Sequence, residues 1–225
     1  YNKIVVGANG VITFDSLLAS PPSCNVFSCT WCEWSFNQTI PNTNGFPYRN
    51  SINGAYHDID PSVGGSISYD ILGTYPCRTF VVNFSNVPHF GCYNITTTQQ
   101  IVLYETTNII EIYIKDKPIC SSWNNGNAVI GIQNNSGTLG YTPTNRNTSS
   151  WATNNEAWMF KPNDSSITYI EWFNNSGVLI GLGDSITVYP NTTTNYTSTI
   201  TYGLCDGTQI IESDQITINI MNLLK

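Results

Sequence analysis

From Thr79 to Lys115 the chain is written almost entirely with a period of two. Phe80, Val82 and Phe84 alternate with Val81, Asn83 and Ser85, and Ile110, Ile112 and Ile114 alternate with Glu111, Tyr113 and Lys115. Successive side chains of a strand point to opposite faces, so this pattern dictates strands with one buried face. Within Gln100–Lys115 two β-branched runs flank Glu105-Thr106-Thr107-Asn108, which reads as a hairpin turn. A third apolar run, Ala128–Ile132, follows an Asn/Gly turn at Asn124–Asn127. No segment carries a helical period over three turns. The expectation is an all-β protein.

Turn signals extend that expectation to both sides. Lys3–Val6 and Gly10–Phe14 read as short strands around Gly7-Ala8-Asn9-Gly10, where Asn-Gly is a strong hairpin signal. Leu17–Asn53 is irregular, rich in Pro and Asn, and carries Trp31 and Trp34. At Lys161-Pro162-Asn163-Asp164 the composition shifts, which marks a domain boundary. Ile167–Phe173, Val178–Ile180, Ser185–Tyr189, Asn195–Tyr202 and Gln209–Ile220 then follow as short strands, with Trp172 as their core anchor. The expected organisation is an antiparallel β-sandwich domain with long disulfide-stapled loops over 1–162 and a small, abbreviated Ig-like β-sandwich over 163–225. Tyr1–Val6 is already strand-like and Ile216–Ile220 ends the pattern, so both ends read as cut from a longer exported protein.

Seven cysteines indicate the compartment. Cys29-Thr30-Trp31-Cys32 has C-x-x-C spacing, but a zinc site needs a second close pair and a thioredoxin-type site needs a βαβ setting. Structural disulfides in an oxidising environment are the expected use. Cys24, Cys29, Cys32, Cys77, Cys92 and Cys120 suffice for three bridges, whose pairing spacing does not give, and Cys205 is left over.

Composition excludes some partners. Only 10% of residues are charged, against roughly 25% in ordinary globular proteins. With 12% aromatic and 40% apolar residues this is a core-forming chain with a surface of Asn, Thr, Ser and Tyr rather than a disordered one. A net charge of −7 with eight Lys and Arg offers no basic patch for nucleic acid and no basic amphipathic stretch for a membrane surface. No apolar run is long enough to insert into a bilayer.

Candidate sites are few. In His57-Asp58-Ile59-Asp60-Pro61 two carboxylates spaced i, i+2 project from one face of an extended segment, an arrangement suited to calcium, with Asp70 or Glu156 available to complete the shell. The competing reading is that Asp58 and Asp60 cap turns. His57 and His89 lack any serine elbow and read as structural or exposed. Tyr141, Arg146 and Trp151 lie in a polar, turn-rich passage and suit stacking on a sugar ring, while Trp151 and Trp158 equally suit plugging the end of a sandwich. No cofactor other than calcium is called for.

The segments Ala55-Tyr56-His57-Asp58-Ile59-Asp60, Gly65-Ser66-Ile67-Ser68-Tyr69 and Phe80–Pro88, the Gln100–Ile114 hairpin and Ala128–Ile132 together resemble the extracellular nidogen-type (NIDO) domain. More closely, PCRTFVVNFSNVPHF, QIVLYETTNIIEIYI, AVIGIQNNSGTLGY and NEAWMFKP resemble a domain of large surface adhesins and gliding-motility-associated proteins of Bacteroidetes, exported by the type IX secretion system. Ile4–Phe14 fits that pattern too, although in the family a further strand precedes it. Residues 167–220 are similar to the Ig-like or PKD-like repeats that follow in such adhesins. Asp15-Ser16-Leu17 and Asp184-Ser185-Ile186 resemble the Bacteroidetes O-glycosylation signal, with Ser16 and Ser185 as acceptors.

The resemblance implies a non-enzymatic module of a secreted cell-surface adhesin or filament, serving attachment or gliding. Its partners would be surface glycans, other surface proteins and further Ig-like repeats of the same chain. A secreted carbohydrate-binding domain is the alternative. An enzyme using Asp58 or Glu156 as a carboxylate is the third reading, and the sequence shows no convergent acid, base and nucleophile for it.

Overall fold

The alternating runs form strands, and their apolar faces meet. The computed structural model describes residues 3–15, 38–43, 48–162, 167–203, 205, 207 and 209–220. Among these the regular elements are all strands apart from one 3-10 turn, Asn124–Gly126. Two units are distinguished: Tyr1–Leu72 with Phe80–Leu103 and Ile110–Phe160, and Gly73–Thr79 with Tyr104–Ile109 and Lys161–Lys225. The second unit thus takes in two short loops besides the C-terminal stretch.

The first unit is a sandwich of two antiparallel sheets. One contains β1 (Val5–Gly7), β2 (Val11–Thr13), β3 (Ser51–Tyr56), β8 (Asn127–Gln133) and β10 (Ser149–Ser150) in that order, with β9 (Gly140–Tyr141) also pairing with β8. The other runs β11 (Thr153–Phe160), β7 (Ile110–Lys117), β6 (Cys92–Tyr104), β5 (Thr79–His89), β4 (Ser66–Leu72). Ile12, Ile52 and Ile130 of the first sheet meet Phe84, Ile101 and Ile112 of the second in one core cluster. The alternation read from sequence is realised: Ile112 and Ile114 are buried, whereas Tyr113 is exposed.

Strand β3 is buried along its whole length, and its register against β8 slips. Asn53 faces Gly131 and Tyr56 faces Val129, three steps on one strand against two on the other. Such a bulge leaves a backbone unit without a ladder partner. Gln99, reaching over from β6 of the opposite sheet, supplies the partner: Ala55 N donates to Gln99 Oε1 at 2.5 Å and Gln99 Nε2 donates to Ala55 O at 3.1 Å. Room for this carboxamide exists only because two neighbours lack a side chain. A Cβ at Gly54 would fall 2.5 Å from Gln99 Oε1, and Gly10, at φ +88°, would also collide with the amide.

The C-terminal strands β12 (Ile167–Asn174), β13 (Leu179–Leu182), β14 (Thr194–Gly203) and β15 (Gln209–Ile218) form a small sandwich region whose ladder is one sheet, ordered β13-β12-β14-β15. β14 and β15 pair residue for residue from Thr194↔Ile218 to Gly203↔Gln209. The expected Ser185–Tyr189 strand joins no ladder; in this unladdered stretch Ile186 lies over Gly181. Trp172 is half-buried, its Nε1 donating to Gly183 O at 2.9 Å, and Tyr196 is the most enclosed aromatic among the described side chains of this unit. The expected anchor role therefore passes in part to Tyr196.

Gln99→Leu keeps the volume and strands both polar groups of Ala55. Each buried, unpaired group costs about 1–3 kcal/mol, so the variant is expected to lose about 3 kcal/mol of stability. Gly54→Ala is expected to be destabilised as well. Urea unfolding of the variants measures both. Wild-type stability of Gln99→Leu would mean that the bulge finds its partners elsewhere.

Candidate functional site

The chemistry-bearing side chains of the first unit collect at one end of its interior. His57 directly follows β3, His89 ends β5, Thr97 lies on β6 and Lys117 ends β7. All four are buried. Lys117 arrives there by a bulge. Thr98 pairs with Asp116 and Gln99 with Ile114, so Lys115 is an extra residue and the alternation behind Ile112 and Ile114 changes phase. Without it Asp116 would point inward; with it Lys117 does.

His57 Nδ1 lies 2.6 Å from Ala55 O, which assigns that nitrogen a proton and leaves Nε2 as acceptor. Thr97 Oγ1 is 2.9 Å from His57 Nε2 and 2.7 Å from His89 Nε2, and the two histidine Nε2 atoms are 3.3 Å apart. The closed pattern is His89 Nε2–H donating to Thr97 and the Thr97 hydroxyl donating to His57. Burial pushes His57 well below its ordinary range, with the charge of Lys117 and then His89 adding to the effect. Burial, and secondarily Lys117, brings His89 down to about 4. Lys117 is lowered to about 7 by burial, with Arg146 contributing. These groups line a cavity of about 10 Å³ together with Asp58 and Trp123, which is room for one water molecule and no organic substrate.

A column of stacked groups continues from Lys117. Its Nζ donates to Trp151 O at 2.7 Å and to Pro118 O at 3.2 Å, and sits 4.4 Å from the Trp151 ring centroid. Arg146 Cζ is 4.5 Å from the same centroid. Arg146 in turn forms a two-pronged pair with Glu156, Nε to Oε1 at 2.8 Å and Nη2 to Oε2 at 2.6 Å, and Trp158 Nε1 also donates to Glu156. The guanidinium beside it holds the Glu156 carboxyl down to about 2.

Several sequence expectations change in this light. Trp151 is only 6% exposed, its Nε1 donates to Ala128 O at 3.1 Å, and two cations stack on its ring. It plugs the sandwich and offers no face to a sugar. Tyr141, the other candidate, is 65% exposed and lines an apolar cleft of about 290 Å³ with Phe14, Ile52, Ile110, Ile132 and Leu139. Glu156 is locked by Arg146 and Trp158 and is unavailable to a metal or as a catalytic acid. Asp58 Oδ2 accepts from Trp123 Nε1 at 2.6 Å, while Asp60 Oδ1 caps the next turn through Ser62 N at 2.9 Å and Ser62 Oγ at 2.5 Å. Asp70 is exposed and bonds the neighbouring Ile71 N. Among the described residues no group of three or more His, Cys, Asp or Glu is placed to hold a metal ion.

Cys92 and Cys120 form a disulfide with sulfurs 2.01 Å apart. Cys77, grouped by sequence with the six paired cysteines, is free, and so is Cys205; the neighbour of Cys77 is Cys205, the residue the sequence left over. Cys24, Cys29, Cys32 and Ser16 lie outside the described residues, and Ser185 is exposed. No helix among the described residues is long and apolar enough to cross a membrane. Lys117 was missed by sequence reasoning; it stands two residues beyond the Lys115 that ends the Ile-x-Ile-x-Ile run, and the bulge that turns it inward has no signature there.

The sign of the pH dependence follows from the lowered pKa values. A base whose folded pKa is depressed is protonated more readily by the unfolded chain, so its support for the fold is complete above the ordinary value and is lost toward the folded one. For both histidines stability is expected to fall as pH drops below 6.5, for His89 toward about 4, while His57, also held well below its ordinary value, acts in the same sense. Lys117 acts in the same sense between 10.5 and about 7. Calorimetry at pH 7.5, 6 and 4.5 should show Tm falling steadily, and His89→Gln should flatten that fall. A level Tm across the range would contradict the buried, uncharged assignment.

A family model described as NIDO related matches residues 1–172, while no curated protein and no solved structure matches the chain. The matched stretch is more than half of the 225 residues and contains the whole two-sheet sandwich with its buried histidines, so the chain belongs to the NIDO-related family.

Proposed function

We propose that this chain is a non-enzymatic attachment module of a secreted, cell-surface protein. The observation that carries the reading is the direction in which its chemical groups face. His57, His89 and Lys117 are turned on one another inside the sandwich, and Arg146 and Glu156 are turned on each other at its partly buried edge. Outward face aromatic and aliphatic side chains on a surface poor in charge: Tyr69 at 71%, Ile71 at 54%, Tyr93 at 51% and Tyr141 at 65% exposure. An enzyme needs the opposite arrangement, with titratable groups converging on an accessible cleft. The Cys92–Cys120 disulfide suits an oxidising, extracellular setting.

The finer reading is that the module belongs to a large adhesin or filament of a gliding Bacteroidetes cell, exported through the type IX system and continued by further Ig-like repeats. It rests on the likeness of the PCRTFVVNFSNVPHF and AVIGIQNNSGTLGY segments to such proteins. Carbohydrate recognition is the second reading, and the exposed Tyr141 beside its cleft favours it. Since Trp151 is withdrawn, that reading depends on Tyr141.

Binding of the full chain to glycan arrays and to cell-surface protein extracts tests both. Attachment is expected, with Tyr141→Ala weakening glycan affinity about tenfold, or about 1.4 kcal/mol, if sugar is the ligand. Binding to surface proteins unaffected by that variant would favour the adhesin without lectin activity. Glycoside hydrolysis abolished by Glu156→Gln would overturn the non-enzymatic reading.

A further inference from the structure

Two cysteines outside the site described above face each other within the C-terminal unit. Cys77 lies in the Gly73–Thr79 loop, and Cys205 in the turn between β14 and β15. The Cys77 thiol donates to Cys205 O at 3.7 Å, which sets its sulfur against the residue that carries the second thiol. Cys205 Sγ is in turn fixed against the Tyr104–Ile109 turn, 3.4 Å from Glu105 O and 2.9 Å from Thr106 Oγ1.

The neighbours hold this geometry. Arg78, next to Cys77, donates from Nε to Glu105 Oε2 at 2.8 Å and from its backbone N to the same oxygen at 3.0 Å, while Glu105 N returns a bond to Arg78 O at 2.9 Å. The loop bearing Cys77 and the turn touching Cys205 are thus laced together beside the sulfurs. Both cysteines are exposed, so a dissolved oxidant reaches them.

We propose that Cys77 and Cys205 are an oxidation site that closes into a second disulfide, joining the 73–79 loop to the β14–β15 turn. The oxidant is a disulfide, small or protein-borne, of general form RSSR. Cys205 loses its proton to solvent and attacks one sulfur of RSSR, whose S–S bond breaks to release RS⁻ and leave Cys205 as a mixed disulfide. Cys77 then gives up its proton and attacks Cys205 Sγ, expelling the second RS⁻. Two thiols are oxidised, one disulfide is reduced to two RSH, and two protons and two electrons are conserved. The order follows from the environment: hydrogen bonding to Cys205, then burial, then the charges of Cys205 and Glu105 raise Cys77 to about 11, which keeps it the thiol until its partner is activated.

The full chain is incubated with glutathione disulfide, blocked with iodoacetamide, digested without reductant and mapped by mass spectrometry, with the Cys92–Cys120 peptide as internal control. The expected product is Cys77 linked to Cys205, about 2 Da lighter than the two reduced peptides together. Cys77→Ser should accumulate the glutathione adduct on Cys205, and Cys205→Ser should leave Cys77 open to alkylation. Alkylated Cys77 and Cys205 in the oxidised wild-type chain, or Cys77 linked to any other cysteine, overturns the proposal.

Discussion

One carboxamide joins the two sheets of the NIDO-related domain as a piece of backbone would. β3 cannot complete its own ladder at Ala55, because the register slips there and the strand is enclosed on every side. Gln99 lends its side chain as the missing strand, accepting from Ala55 N and donating to Ala55 O. Much follows from that contact. It requires bare backbone at Gly10 and Gly54. It brings the Gly7–Gly10 turn over β3, where Gly54 N bonds Gly10 O at 2.9 Å and Ile59 N bonds Asn9 Oδ1 at 2.9 Å. It also places His57, two residues on from Ala55, against Thr97 and His89. In a low-dielectric interior such a network is favourable only when each member is satisfied, and the bulge, the two glycines and the glutamine satisfy one another.

The strands were legible in the sequence because alternation is local. A residue's face follows from its neighbours two positions away, so the β5 and β6–β7 runs and the Asn124–Asn127 turn could be placed without any tertiary knowledge. The candidate site was legible only in part, because its residues are chosen by phase shifts and by long-range partners. Lys117 turns inward through an extra residue at Lys115, a change that no composition rule announces. Trp151 looks exposed in a run of Asn, Ser and Thr, and it is buried because it packs into the core cluster, with Lys117 and Arg146 stacked against its ring. Glu156 loses its candidacy to the same arginine. Sequence reasoning failed wherever a side chain's place was decided by packing or by a register shift and not by alternation.

The abundance of asparagine has a structural use as well. Of the nine non-glycine residues with positive φ among the described residues, seven are Asn: Asn50, Asn86, Asn108, Asn124, Asn125, Asn145 and Asn155. Asparagine tolerates the left-handed region better than other side chains with a Cβ. The chain therefore turns its corners with Asn where a more charged protein would use other means, and the same residues supply its neutral polar surface.

The order of strands also sets a timetable. The sheet from β4 to β7 joins sequential neighbours, so its contacts form between segments close in the chain and close quickly. The facing sheet draws on residues 5–13, 51–56 and 127–133, with β8 wedged between β3 and β10. It cannot be completed until the chain has emerged as far as β10 at Ser149–Ser150, and the loops to be closed first are long. A nascent chain thus remains half-built, with β4 to β7 able to pair while β11 and the facing sheet are still in transit. Any machinery that moves it in extended form has that interval in which to act.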